Sequence, residues 1–587
     1  MIPAYSLAHQ DEPLFERQRW HLPVPLQRYL GEAMEDWRLE GKTRRLWQGD
    51  ASLWTGKGED EWLGWLTIAE DQLGELDGLL KAVGNILLGD FEQVLLLGMG
   101  GSSLCPAVLA RTFGRLPLNP QLLVLDSTDP MQIHRVAAQL DFRKTLFVVS
   151  SKSGTTLEPI LLKDYFWDET KKVFGADLTG SRFVAITDPN SPLQKLAEAQ
   201  YFRHIFFGSP AIGGRYSALS NFGMVPGALM GLDVGTFLAR TLHMVHSCRP
   251  DVLLEENPGL MLGLILGVAG NHGRDKITIV TSPGIRSLGA WIEQLLAEST
   301  GKAGKGLIPI ADEELGIPGV YRQDRLFCYI RQKDAGDPAQ DVRMDVIEQA
   351  GQPVVRIDFH DKYDLGQEFF RWEIATATAG SLLGINPFDQ PDVEASKIAA
   401  HQLVTEYETE GALSEEKPLV DGNGLKLFAD RRNAAELTRL TYGQTSIPAL
   451  LSAHLQRLKV GDYFALLAFV DRHPEFIAIL DAIRTEVRDQ CWVATCLSFG
   501  PRYLHSTGQI HKGGPNTGVF VEVTHDHSND LPIPGHQYSF GIVETAQARG
   551  DFNVLADLHR RILRVHLGSD FQRGLTAFRD QMFRILK

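Results

Sequence analysis

At 587 residues, with 44% hydrophobic and 22% charged side chains, the chain has the make-up of a water-soluble globular protein of roughly two to four domains. Its 73 acidic against 58 basic residues leave a net charge of −15, which argues against a nucleic-acid partner, because phosphate neutralisation needs a basic surface. Five scattered cysteines (Cys105, Cys248, Cys328, Cys491, Cys496), odd in number and without CxxC spacing, suggest a reducing cytoplasm and neither a disulfide framework nor a zinc site.

The opening MIPAYSLAHQDEPLFERQ carries acidic residues and no apolar core, so it is not expected to be a secretory leader. Residues 1–90 are Trp-rich and read as a helical N-terminal segment. A repeated grammar of apolar run, small-residue loop and helix then begins. The run 91–97 ends in GMGGSS, 145–149 in SSKSGTT and 182–186 in TDPNSP. Later, 276–280 ends in TSPGIRS, 325–330 in RQKD, and 354–357 leads into DFHDK. Apolar runs between helices predict parallel strands buried on both faces.

The fold class is therefore α/β, with two doubly wound parallel-sheet units at 91–235 and 255–400, joined by a helical linker holding Pro250 and Pro258. GLMLGLILGVAG at 259–270 is too short and Gly-rich for a membrane span and reads as a buried helix. Residues 401–587 read as a C-terminal α/β extension, with a charged connection, an amphipathic helical stretch over 462–488 interrupted at Pro474, and strands at 491–499 and 519–524.

Two of the loops suit an anion. GMGGSSL lets the backbone come close and leads into a helix, whose first-turn N–H groups are free. SSKSGTTLEP repeats the arrangement with hydroxyls from Ser151, Ser153, Thr155 and Thr156, and Lys152 adds charge. It is neither a Walker loop nor a GxGxxG fingerprint, so a small phosphoester fits better than a nucleotide. Farther on, Trp291, Gln294, Leu295 and Glu298 share one face of a predicted helix, and a carboxylate on an apolar stripe needs a polar task.

GMGGSSL, SSKSGTT, GGRYSALS, EQLLAESTGK and NPFDQPDVEASK stand in the order found in phosphoglucose isomerases, and the stretch from 91 to 400 resembles that family, which is built from two sugar-isomerase (SIS) domains. With the Trp-rich opening and RYLHSTGQIHKGGPNTG, the chain most resembles the isomerase half of fused transaldolase–phosphoglucose isomerase proteins. The transaldolase half is not expected here, because roughly 90 residues before the first glycine loop are too few for a barrel of about 250.

The resemblance implies that Ser151, Ser153 and Thr156 hold a sugar phosphate, with Ser102 or Ser103 at the neighbouring turn. It implies Arg215 beside a developing enediolate, Glu298 as base with Gln294 one turn before it, and Gln390 and Lys397 on a returning helix. Pro391 suits that helix's first position with Gln390 as cap. The implied reaction interconverts glucose 6-phosphate and fructose 6-phosphate through a cis-enediol, in glycolysis and gluconeogenesis, by a cytoplasmic homodimer. The route needs no metal and no organic cofactor, and no membrane partner is expected. A bifunctional phosphoglucose/phosphomannose isomerase and a non-catalytic phosphosugar-binding regulator are the alternatives.

One motif departs from the family. Its ring-opening histidine lies between the base and the returning helix, where this chain offers only His360 in VVRIDFHDK. RYLHSTGQIHKGG matches the histidine loop better but lies downstream of Lys397, so His505 is expected to open the ring, with His511 second. If His505 merely caps a turn, the task falls to Lys397. THDHS at 524–528 reads as a solvated loop in preference to a metal site, and KDYFWDETKK as an exposed helix face.

Overall fold

The computed structural model describes residues 13–333 and 335–587, so the opening segment up to residue 12 lies outside the described residues. The strands fall into three sheets. In the first, Gln121–Leu125, Gln93–Gly98, Thr145–Ser150, Phe183–Thr187 and His204–Phe207 lie side by side, all parallel. In the second, Val354–Phe359, Arg325–Gln332, Lys276–Thr281 and Ile308–Ala311 are parallel. Gln18–His21 joins that sheet antiparallel at its edge, so the N-terminal segment is not purely helical. In the third, Arg561–His566, Gly518–Thr524, Tyr463–Ala468 and Ala494–Phe499 are parallel, and the hairpin of Val420–Gly422 and Leu425–Phe428 extends the Arg561–His566 edge.

Each sheet repeats one order. The first parallel strand in the chain has the second on one side and the third on the other, so the winding direction reverses beside it. The crevice beyond the carboxyl ends at such a reversal is where doubly wound sheets take ligands. In the first sheet the reversal falls between Gln93–Gly98 and Thr145–Ser150, the strands that lead into GMGGSS and SSKSGTT. The apolar runs VLLL, LFVV and ITIV are buried throughout, as strands covered by helices on both faces must be.

The stretch 462–488 is not one interrupted helix. Its first part is the strand Tyr463–Ala468, and Pro474 opens the helix Pro474–Cys491 from its first position, where no N–H is needed. Residues 163–172 are not an exposed face either, because Lys163, Phe166 and Thr170 are buried against the first sheet.

The apolar stretch 259–270 forms the buried helix Pro258–Asn271, packed on Leu365–Leu383. Its glycines mark the contact. A Cβ on Gly263 would meet Thr378 Cβ at 2.5 Å and the Ala375 carbonyl oxygen at 2.6 Å, and one on Gly259 would meet Ile374 Cγ2 at 2.7 Å. Among the described residues no helix is long and apolar enough to cross a membrane.

Charged pairs join the C-terminal sheet to the first, beside an apolar contact that includes Phe540 and Val543. Asp471 accepts from Arg135 Nε at 3.1 Å and Nη2 at 2.6 Å. Buried Asp126 pairs with Arg472, and Arg502 Nε lies 3.4 Å from its other oxygen. Burial alone would raise the Asp126 carboxyl, but Arg472, Arg502 and Arg111 outweigh it and hold it below the usual carboxylate range.

Candidate active site

The SSKSGTT loop leaves the buried strand Thr145–Ser150 and ends where the helix Leu157–Phe174 begins. Gly154 sits at φ +68°, a left-handed backbone that an L side chain would strain. Ser153 Oγ and Thr155 Oγ1 are 2.9 Å apart, and the Thr156 side chain makes no cap bond, which leaves the first-turn N–H groups open to an anion. Ser153, Thr155 and Thr156 line a cavity of about 410 Å3 together with Lys397, Glu158 and His505. Lys152 and Ser151 are placed differently. Lys152 is paired with Asp188, and the Ser151 hydroxyl is buried.

The glycine loop GMGGSS serves a different packing need. A Cβ on Gly100 would lie 2.7 Å from the His505 carbonyl oxygen, and one on Gly101 only 2.0 Å from that of Gly214. These glycines therefore let three loops close on one another. Ser103 is fully buried, its one hydroxyl proton within reach of the Gly100 carbonyl at 3.2 Å or of Asp126 at 3.4 Å, while the Ser102 carbonyl accepts from Ser150. Neither serine lines the cavity.

His505 ends the short helical turn Arg502–His505, beyond the strand Ala494–Phe499 of the third sheet. Its Nε2 lies 2.8 Å from Glu158 Oε1, and the same oxygen accepts from Gln547 Nε2 at 2.7 Å. Burial acts to raise the Glu158 carboxyl, but the His505 ring and, more weakly, Lys397 hold it below the usual carboxylate range. His511 is not on the cavity. Its Nδ1 lies 3.0 Å from the Tyr463 hydroxyl, and burial pushes the ring down to about 3, so it stays neutral near pH 7.

Glu298 and Gln294 stand one turn apart on the buried helix Leu288–Thr300. Gln294 Nε2 donates to Glu298 Oε2 at 3.0 Å and to the His505 carbonyl at 2.9 Å, which ties the helix to the histidine loop. Arg215, almost fully buried, donates from Nε to Ser299 Oγ (2.7 Å), from Nη1 to Gln390 Oε1 (2.9 Å), and from Nη2 to the carbonyls of Pro387 (2.7 Å) and Asp389 (2.9 Å). Its Nη1 is 3.8 Å from Glu298 Oε1. Gln390 is not a helix cap. The returning helix runs Glu394–Glu410, so Gln390 and Pro391 belong to the preceding loop, where Gln390 answers Arg215. Lys397 is on the helix, half exposed, with Glu394 at 3.5 Å.

Residues 83–312 match the family model of phosphoglucose isomerase. The chain carries a phosphoglucose isomerase domain. A glucose-6-phosphate isomerase of Rubrobacter xylanophilus is 29% identical over 52% of this chain and 81% of its own length. One of Leptospira interrogans is 25% identical over 65% of this chain and 96% of its own. The crystal structure of a glucose-6-phosphate isomerase from Chlamydia trachomatis shares the fold, with a TM-score of 0.53 and 19% identity over 66% of this chain and 87% of that one. The matched domain is thus of an isomerase family, and the α/β fold is shared with the Chlamydia structure. The phosphoglucose isomerase domain match includes the SSKSGTT loop, Arg215 and Glu298, and ends before Gln390, Lys397 and His505.

Three residues at this site carry no signal in spacing. Glu158 stands in the quoted SSKSGTTLEP, yet an acidic residue in a first helical turn is ordinarily a dipole partner. Gln547 sits on the distant helix Phe540–Asp557, and its Oε1 accepts from Thr128 at 2.9 Å. Lys302 ends the quoted EQLLAESTGK. It is buried, pairs with Asp389 at 2.7 Å, and is pushed down to about 7 by burial and then by Arg215.

Proposed function

We propose that the chain interconverts glucose 6-phosphate and fructose 6-phosphate. The observation that carries this reading is the single cavity shared by Ser153, Thr155, Thr156, Lys397 and the His505–Glu158 pair, tied through Gln294 to Glu298 and Arg215. The hydroxyls and the open helix end hold the phosphate. His505, its Nε2 held by Glu158, moves the protons of ring opening: one reaches the ring oxygen as the anomeric hydroxyl gives one up. Lys397 stands at the mouth beside the sugar.

Glu298 then takes the proton from the carbon next to the carbonyl and returns it to the neighbouring carbon. The electron pair left behind forms the carbon–carbon double bond and the carbonyl pair passes to its oxygen, giving the cis-enediolate. That oxygen takes up a proton as the neighbouring hydroxyl gives one up and becomes the new carbonyl. Charge on that oxygen grows only as the proton leaves, so the Arg215 guanidinium, already fixed by its hydrogen bonds, stabilises the transition state more than the ground state. Work as a cytoplasmic homodimer belongs to the same reading.

The test is conversion of fructose 6-phosphate to glucose 6-phosphate by the purified chain beside its Glu298→Gln variant. Turnover that collapses in the variant while sugar phosphate still binds is the expected result. No turnover in the parent, with sugar phosphate still bound, would replace this reading with that of a phosphosugar-binding regulator.

A further inference from the structure

The loop after Gly518–Thr524 is only partly solvated: Asp526 and Ser528 are exposed, but His525 is buried and His527 half-buried. It leaves the third sheet where Tyr463–Ala468 and Gly518–Thr524 stand side by side, the reversal point of that sheet. His525 is 5% exposed and packs against His527, ring centroids 4.6 Å apart. His525 Nδ1 is 2.9 Å from the Asp526 carbonyl oxygen. A carbonyl only accepts, so Nδ1 carries a proton, and in the neutral ring Nε2 offers its lone pair.

That lone pair faces Asp129 Oδ2 at 3.4 Å. Asp129 is fully buried, and its other oxygen caps the helix Pro130–Ala137 by accepting from Gln132 N–H at 2.8 Å. On the opposite side His527 Nε2 is 3.3 Å from Glu544 Oε2. Glu544 is 1% exposed, and neither of its oxygens has a hydrogen-bond partner. Among the described residues no lysine or arginine pairs with Asp129 or Glu544. Two buried carboxyl groups and two imidazoles therefore converge, and burying such groups together is costly unless their charge is balanced.

One ligand atom from each of Asp129, His525, His527 and Glu544 lies within 4.8 Å of the others. A tetrahedral zinc with bonds of about 2.0–2.2 Å holds its ligand atoms about 3.4 Å apart. The His525–Asp129 and His527–Glu544 separations already match that spacing. Two imidazole nitrogens and two carboxylate oxygens suit zinc and its first-row neighbours. A crevice of about 550 Å3, lined by His525, His527 and Glu544, supplies the entry path.

We propose that Asp129, His525, His527 and Glu544 bind one divalent transition-metal ion, zinc first among them, which clamps the C-terminal sheet onto the first. Asp129 comes from the first unit and the other three from the C-terminal one. Glu544 lies one helical turn before Gln547, which holds Glu158 behind His505, and Thr128 beside Asp129 holds Gln547. The ion steadies that contact without touching the cavity.

The full chain is stripped with a chelator, reloaded with Zn2+ or Co2+ and desalted, and bound metal is counted by mass spectrometry. One equivalent per chain is expected, with a visible Co2+ spectrum of tetrahedral nitrogen and oxygen ligation and a Tm raised by about 3 °C or more. The His527→Ala and Glu544→Gln variants should lose both the metal and the Tm response. Failure of the parent to retain Zn2+, Co2+ or Mn2+ stoichiometrically overturns the proposal. So does equal retention by the two folded variants. Should the variants not fold, the parent's stoichiometry and Co2+ ligand spectrum decide alone, and these readouts are independent of isomerase turnover.

Discussion

His505 and Glu158 follow strands of different sheets and meet at 2.8 Å, 347 positions apart in the chain. The carboxylate accepts from both His505 and Gln547, and its lowered pKa keeps it ionised near neutrality. A fixed carboxylate sets which imidazole nitrogen carries the proton and where the ring points. Replacing Glu158 by Gln keeps the shape and removes the charge.

Glu158→Gln and His505→Ala should therefore each slow turnover of the cyclic sugar by about 10²–10⁴-fold, the usual weight of positioned acid–base catalysis. Both should leave an open-chain analogue much less affected. Steady-state kinetics with the two substrates check this; equal losses on both would remove His505 from ring opening.

Arg215 gives its fork to four acceptors at once, Ser299, Gln390 and two carbonyls. A lysine carries charge but cannot reproduce that planar geometry. Arg215→Lys should lower kcat by about 10²–10³-fold with little change in KM, because the lost interaction is made chiefly in the transition state. A rise in KM at constant kcat would make Arg215 a substrate-binding group instead.

What the sequence made legible follows from where each signal is stored. Strands covered on both faces announce themselves as apolar runs, and in the first two sheets those at 145, 276, 325 and 354 begin at the predicted residue. Tyr463–Ala468 falls inside a predicted helix because a short, wholly apolar run looks alike in either state. Gln18–His21 has a polar sequence and becomes a strand only through its partner Val354–Phe359. The site divides in the same way. Loop chemistry and helix spacing marked Ser153, Thr155, Thr156, Gln294 and Glu298, whereas the loop-bound Gln390, the paired Lys152 and the buried Ser103 depend on neighbours distant in the chain. His525, in a loop whose composition predicts solvation, is buried for the same reason, since Asp129 lies 396 positions away.

Lys302 provides a pH test. Burial and the adjacent Arg215 push its ammonium down to about 7, against about 10.4 for a free lysine. Between those values the unfolded chain binds a proton that the folded chain does not, so this group makes stability rise with pH across that window. Below about pH 7 both states are charged and the destabilisation is fully present. Lys302→Met should raise Tm most at acidic pH and flatten its rise from about pH 7 to about 10.4, as thermal melts across that range would show. An unchanged slope would mean that Asp389 holds the ammonium charged throughout.

Two glycines in helix interiors should respond to alanine in opposite directions. Gly84, in Leu76–Leu87, has nothing within 4 Å of an added Cβ, so Gly84→Ala should stabilise by about 0.5–1 kcal/mol through reduced backbone entropy of the unfolded chain. At Gly263 the same methyl would fall 2.5 Å from Thr378 Cβ and 2.6 Å from the Ala375 carbonyl. Both neighbours belong to the buried helix Leu365–Leu383, which cannot retreat without opening the core behind it. Overpacking of this kind costs about 1–3 kcal/mol, which exceeds the propensity gain, so Gly263→Ala should destabilise. Denaturant melts of the two variants decide the matter: shifts of the same sign would show that the close approach of Pro258–Asn271 to its neighbour does not require glycine.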